Sequence, residues 1–271
     1  MKINFKVALL ALPFLFIISC SDSNEPQEPK IAWDATNYTM YNEFMQCSAG
    51  EEYNQEALDN MVESWRDLGL SESLLGSWGY ESVSPNESSF NNYWELSWSS
   101  KEAADAAWEG WLADEDAVAW LEQSSKVLQC DGENRDGYDF IFPYDPYAFG
   151  DTPDDGSFAA SFSPCTLNEG MGEQELSNAL IKYNSWLDNI DQSQVSGFYA
   201  YGIYFPDDAS STEDFWFGNF HKNLETMNEG NELWEATGGD AKAELETVTT
   251  CGDPEISNGQ VFYDPTDPDF S

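Results

Sequence analysis

Residues 142–146 read FPYDP and residues 261–265 read VFYDP. The shared Tyr-Asp-Pro, at Tyr144-Asp145-Pro146 and Tyr263-Asp264-Pro265, closes two halves of one chain. Working back from each closure, the same landmarks recur. Cys47 lies 83 residues before Cys130, and Cys165 lies 86 before Cys251. Trp65 stands 20 before Pro85, and Trp186 stands 20 before Pro206. Trp94 precedes its cysteine by 36 residues and Trp216 by 35. Agreement across so many spacings marks an internal duplication. The repeats span roughly 35–149 and 156–271, joined by a Gly/Asp/Pro linker from Gly150 to Gly156.

Each repeat carries one pattern. A short alternating stretch ends at the first cysteine, from Tyr38 to Cys47 and from Phe158 to Cys165. A helical period follows. Leu58, Met61, Val62, Trp65 and Leu68 share one face, as do Leu176, Leu180, Tyr183 and Leu187. Two strand-like stretches come next, Ser77 to Val83 with Tyr93 to Trp98, and Phe198 to Phe205 with Phe215 to Phe220. A second helix is predicted over Lys101 to Lys126 and over Leu224 to Thr247, and a last strand precedes Tyr-Asp-Pro. The order β-α-β-β-α-β is the ferredoxin-like unit, an α+β arrangement.

That unit orders its strands 4-1-3-2, so the end of strand 1 lies beside the start of strand 4. The first cysteine ends strand 1 and the second precedes strand 4, which predicts the disulfides Cys47–Cys130 and Cys165–Cys251. Zinc ligation by these cysteines would want close C-x-x-C spacing and imidazole partners, and the chain has one histidine. Two such units in one chain resemble the dimeric α/β-barrel superfamily in its tandem form. The resemblance rests on topology and repetition and implies two facing antiparallel sheets with helices outside. That superfamily includes cofactor-independent oxygenases, isomerase-like enzymes and haem enzymes, so the likeness implies a fold and not an activity.

Strand alternation sorts the candidate residues. Trp94, Leu96 and Trp98 are expected on the helix-packed face, with Tyr93, Glu95 and Ser97 opposite. In the second repeat Trp216, Gly218 and Phe220 are expected under helices, with Phe217, Asn219 and His221 facing the space between the sheets. Tyr41, Glu43, Met45, Glu81, Ser161, Ser163 and Tyr204 are assigned to that inner face as well. The predicted pocket is therefore lined by Glu43, Glu81, Glu95, Tyr204, Asn219 and His221. His221 is the candidate catalytic residue, as a general base, and Ser99 stands at its place in the first repeat. An axial haem ligand is the other role open to a single His. Neither a phosphate loop nor a nucleophile elbow is present.

The amino terminus begins with Lys2 and Lys6 and continues apolar from Val7 to Ile18, too short to span a bilayer. Ile17-Ile18-Ser19-Cys20 resembles the bacterial lipobox. The resemblance implies a signal peptide over 1–19, cleavage before Cys20, acylation of Cys20, and a bilayer partner. Ser21 after the cysteine favours the outer membrane. Residues 20–34 read as the lipidated cysteine and a polar, proline-containing tether.

The chain carries 51 acidic residues against 10 Lys and Arg, a formal charge of −41. Such a surface repels nucleic acid. An aromatic content of 15% argues against disorder. The acidic run from Asp131 to Gly137 has some spacings of a calcium loop, but Arg135 stands where a ligand belongs, and no metal or cofactor is implied. The repeated tryptophans Trp65, Trp94, Trp186 and Trp216 fall at core periods. The leading expectation is a non-enzymatic envelope lipoprotein that binds a small ligand or an envelope protein. The alternatives are a cofactor-independent oxygenase or isomerase-like enzyme built on His221, Asn219 and Tyr204, and a carbohydrate-binding surface protein.

Overall fold

Alternating residues that pair at one register build each half of the molecule. The computed structural model describes residues 40–83, 92–191 and 197–271. Cys20, its flanking signal and tether, Tyr38 and Pro85 lie outside the described residues. The first repeat runs β1 (Met40–Ala49), α1 (Gln55–Arg66), β2 (Leu74–Ser82), β3 (Asn92–Trp98), α2 (Lys101–Ala113), α3 (Glu115–Ser124), β4 (Leu128–Cys130) and β5 (Asp136–Ile141). The second runs β6 (Ser157–Leu167), α4 (Glu173–Asn189), β7 (Tyr199–Pro206), β8 (Phe215–His221), α5 (Leu224–Thr237), α6 (Gly239–Val248), β9 (Thr249–Cys251) and β10 (Glu255–Tyr263).

Within each half the main strands lie in the ferredoxin-like order, β5-β1-β3-β2 and β10-β6-β8-β7, all antiparallel. The halves then join at both edges. β5 pairs with β7, and β10 pairs with β2. The eight strands form a closed circuit, which leaves no unpaired edge along it. Among the described residues, three apolar clusters result. One lies between the first repeat's strands and α1, around Met61, Trp65, Trp94 and Leu96. A second lies under α4, around Leu176, Leu180, Tyr201 and Phe215. The third fills the barrel interior with Tyr80, Phe140, Phe158, Tyr204 and Phe220. Closure also interlocks the layers, since Phe262 of β10 packs on Trp94 at 5.0 Å in the first repeat's cluster.

α1 buries the expected stripe of Leu58, Met61, Val62 and Trp65. Asn54 caps it by accepting a hydrogen bond from Ala57 N. The second helix of each repeat is broken, where a single helix was expected. Asp114 accepts from Asp116 N and Ala117 N and starts α3. In the second repeat the break falls at Gly238 and Gly239, and Gly239 adopts φ +41°.

The two disulfides are Cys47–Cys130 and Cys165–Cys251. Each first cysteine sits directly opposite its partner, because β1 and β6 continue past it and the short strands β4 and β9 pair with them. Each bridge ties the helix-2 return to the sheet across a loop of 83 or 86 residues. Replacing Cys165 and Cys251 together by Ser should lower unfolding stability by about 4 kcal/mol in the loop-entropy account. Equilibrium urea unfolding measures this, and an unchanged midpoint would contradict a native role for the bridge.

Candidate functional site

The barrel interior is organised around one carboxylate. Glu95, in the middle of β3, is 1% exposed. Its Oε1 accepts from Asn42 Nδ2 at 2.5 Å and from Tyr204 Oη at 3.0 Å, and its Oε2 accepts from Tyr80 Oη. Ser97 Oγ in turn donates to Asn42 Oδ1 at 2.9 Å. Burial pushes the Glu95 carboxyl up to about 7, against the three hydrogen bonds, which lower it. Burial beside this carboxylate raises both Tyr80 and Tyr204 well above the ordinary phenol range, so they stay protonated donors.

Register exposes a symmetry in this cluster. Cys47 faces Asn92 and Cys165 faces Phe215, so Glu95 corresponds to Gly218 and Tyr93 to Trp216. Tyr80 opposes Tyr93, and Tyr204 opposes Trp216. The two tyrosines are therefore equivalents, one from each repeat, converging on a single acid. A Cβ on Gly218 would lie 2.8 Å from the Tyr204 ring, so the second repeat has no room for a matching side chain. On one side of this layer lies a cavity of about 240 Å³ that includes Trp78, Phe142 and Phe158. On the other lies one of about 170 Å³ that includes Tyr93, Tyr138 and Trp216.

A separate cavity of about 220 Å³ lies in the second repeat, between the outer face of its sheet and α4 and α5. Tyr183, Trp186, Tyr199, Phe217 and Trp234 supply aromatic walls, and Ser163, Asn219, His221 and Asn231 supply polar atoms. Tyr199 Oη donates to Asn219 Oδ1 at 3.0 Å. A phenol has one proton to give, so Tyr183 is the donor in the 2.5 Å contact with Tyr199. The His221 ring packs on Tyr199 at 4.9 Å, and burial lowers it to about 4. The imidazole is neutral at pH 7, so one ring nitrogen is able to donate and the other to accept.

The equivalent space in the first repeat is filled. Aligned on the same register, His221 matches Trp98, Ser161 matches Glu43 and Ser163 matches Met45. Aligned on the helix caps Ser100 and Asn223, Asn231 matches Trp108 and Gly230 matches Ala107. Trp98 Nε1 and Trp108 Nε1 both donate to Glu43 Oε2, at 2.9 and 2.7 Å. Arg135 Nε donates to Glu43 Oε1 at 2.9 Å, and the guanidinium lies 4.2 Å over the Trp108 ring. Two indoles and the buried Glu43, paired with a part-buried Arg135, occupy what is hollow in the second repeat.

Several sequence expectations are corrected by these positions. Of the six residues expected between the sheets, Glu95 and Tyr204 lie there. Glu43 opposes Leu96 and faces the helices, together with Tyr41 and Met45. Glu81 opposes Asn92 and is exposed on β2. Asn219 and His221 lie under the helices with Ser161 and Ser163, whereas Phe220 and Trp216 point into the barrel. The cause is common to all of them: a strand misread by one residue presents every side chain to the wrong face. Trp216 was matched to Trp94, but its register partner is Tyr93, and the equivalent of His221 is Trp98 rather than Ser99. Asn42, which completes the Glu95 cluster, was missed for the same reason. In the run from Asp131, the Asp131 carboxylate accepts from Glu133 N and from Asn134 N and Nδ2, while Arg135 reaches back to Glu43.

No protein-family model and no curated protein sequence matches this chain. Solved structures do. A protein assigned as a chlorite dismutase, TA0507, superposes with a TM-score of 0.50 at 12% identity, covering 82% of this chain and 94% of its own. A protein assigned as a monooxygenase from Lactobacillus acidophilus NCFM superposes with a TM-score of 0.50 at 11% identity, covering 83% and 94%. The chain has the tandem dimeric α/β-barrel fold. Haem does not fit the cavity beside His221. Its volume falls below the ~300–1,000 Å³ of ordinary small-molecule sites, and the imidazole is held between Tyr199 and α5, where a Cβ on Gly230 would stand 3.0 Å away.

The two perturbed groups give opposite pH signatures. Glu95 is raised in the folded state, so its stabilising contribution is whole below its ordinary value of 4.5 and is lost as pH rises through about 7. His221 is lowered, so its contribution is present above 6.5 and is lost as pH falls toward about 4. Urea unfolding across pH 4–8 should therefore show Glu95→Gln removing a loss on the alkaline side, and His221→Phe removing one on the acid side. Each difference should be on the order of 3 kcal/mol. Slopes of the opposite sign would contradict the burial of these groups.

Proposed function

We propose that this protein is a membrane-anchored envelope lipoprotein that binds a small aromatic molecule in the cavity under α5, without turning it over. The observation that carries this reading is the asymmetry between the repeats. Four positions that plug the first repeat, Glu43, Met45, Trp98 and Trp108, are Ser161, Ser163, His221 and Asn231 in the second. Each change removes volume and leaves a neutral polar group. An empty apolar hollow costs stability, by ~24 cal/mol per Å³ of residual cavity in engineered cases. Its persistence in one repeat alone supports a ligand of one or two rings, stacked on the aromatic walls, with a polar edge toward His221 and Asn219. The anchor rests on the likeness of Ile17-Ile18-Ser19-Cys20 to the lipobox, with export and outer-membrane placement following from it.

A second reading is favoured by the neighbour assigned as a monooxygenase. The cavity would then host a cofactor-independent oxygenase or isomerase-like reaction with His221 as base. The lowered basicity of His221 weighs against this, since an effective general base titrates near the working pH.

The site is tested by thermal shift with 2-naphthol as probe. The wild-type chain should rise in Tm. Ser163→Met combined with Asn231→Trp, which restores the plug of the first repeat, should abolish that rise without lowering the ligand-free Tm. A rise that survives the plug would remove this cavity from consideration, and oxygen consumption or a new product by mass spectrometry would replace the binding reading with the enzymatic one.

The anchor is tested separately. Cys20→Ala should abolish palmitate labelling and move the protein from the membrane to the soluble fraction. Membrane partition that survives Cys20→Ala would refute lipidation as the anchor.

A further inference from the structure

We infer that the larger barrel cavity is a second site, for a small quaternary-ammonium cation seated among aromatic rings against the Glu95 carboxylate. This does not depend on the cavity under α5, which lies on the opposite face of the sheet. The barrel cavity holds about 240 Å³, and its walls include Trp78, Phe142, Phe158 and Phe220. Ring faces carry negative potential and attract cations, most strongly where water is excluded. The lining contains no lysine or arginine, and two acids are part of it. Glu95 is the buried one, on β3, and Asp264 belongs to the segment that follows β10. An anion would meet like charge there, in a chain that already carries −41.

The hydrogen-bond count separates one class of cation from another. A carboxylate offers about four acceptor positions. Asn42, Tyr204 and Tyr80 already take three of those on Glu95. A primary ammonium needs three acceptors at once, whereas Glu95 has one position left and Asp264 Oδ1 already accepts from Thr266 N and Thr266 Oγ1. A quaternary ammonium has no N–H and needs only charge and ring faces.

The placement of the acid points the same way. A buried carboxylate without a cationic partner costs stability, and a neutral side chain would avoid that cost. Instead the chain converges two equivalent tyrosines on one acid, and its counterpart is Gly218. The one fully buried acid of the lining suits a monovalent guest.

Titration calorimetry of the mature chain in 0.15 M salt tests this with choline and with 3,3-dimethylbutan-1-ol, its neutral isostere. Choline should bind at least tenfold more tightly at pH 8 and weaken below pH 7 as Glu95 gains its proton. Glu95→Gln should reduce choline to the level of the isostere. Ala200→Leu, which keeps the carboxylate and fills the cavity, should block both, and it decides the matter if Glu95→Gln does not fold. Ser163→Met with Asn231→Trp should leave choline affinity unchanged. The proposal is overturned if choline and its isostere bind equally, if choline gives no heat at millimolar concentration, if Ala200→Leu binds choline normally, or if plugging the α5 cavity removes choline binding.

Discussion

Closure of the sheet is the constraint on which everything else depends. Once β5 pairs with β7 and β10 with β2, every strand of the circuit must turn one face inward and one outward. The inward residues meet within a narrow space, and the outward ones meet helices. A polar residue facing inward must then find all its partners among a few facing side chains. Glu95 does so through Asn42 and Tyr80 of its own repeat and Tyr204 of the other. The same cluster that satisfies the acid thus bridges the two halves.

Closure also separates the two kinds of asymmetry that the duplication has acquired. Inside the barrel both halves share one space, so a side chain gained by one half is room lost by the other. Glu95 and Gly218 record that exchange. Outside the barrel each repeat has its own helices and can diverge alone. There the first repeat packs two indoles on a paired Glu43, while the second leaves a hollow beside His221. Removing Arg135 would strand the buried Glu43 charge, so the ion pair ties the first repeat to its filled arrangement.

The fold was legible because it depends on periods and spacings. The helical stripes, the recurrence of the cysteines and the β-α-β-β-α-β order survive an error of one residue. The faces do not. Trp94 and Trp216 look equivalent in the sequence because both are tryptophans at similar distances from a cysteine, yet the ladder pairs Trp216 with Pro164 and Trp94 with Met45. These partners stand one and two residues from their cysteines, so the two tryptophans face opposite ways. The cysteines alone do not give the match of His221 to Trp98, because Cys47 and Cys165 differ by 118 positions, Cys130 and Cys251 by 121, and Trp98 and His221 by 123; only the ladder, with Cys47 opposite Asn92 and Cys165 opposite Phe215, supplies it. Closure itself left less trace, since nothing local in β10 announces that its other edge belongs to β2 of the first repeat.

The scarcity of positive charge explains how the acids are managed. Ten Lys and Arg serve 51 acids, so most acidic side chains rely on water. Among the described residues, lysines pair with acids at the surface, as in Lys182–Glu244 and Lys242–Glu235, and Arg135 pairs with the outward-facing buried acid Glu43. No cation lines the barrel cavity, and Glu95 is held there by neutral donors alone. Neutral donors stabilise a carboxylate without cancelling its charge. Above about pH 7, where Glu95 has given up its proton, the field of that charge acts inside a low-dielectric, aromatic space, far more strongly than at the surface.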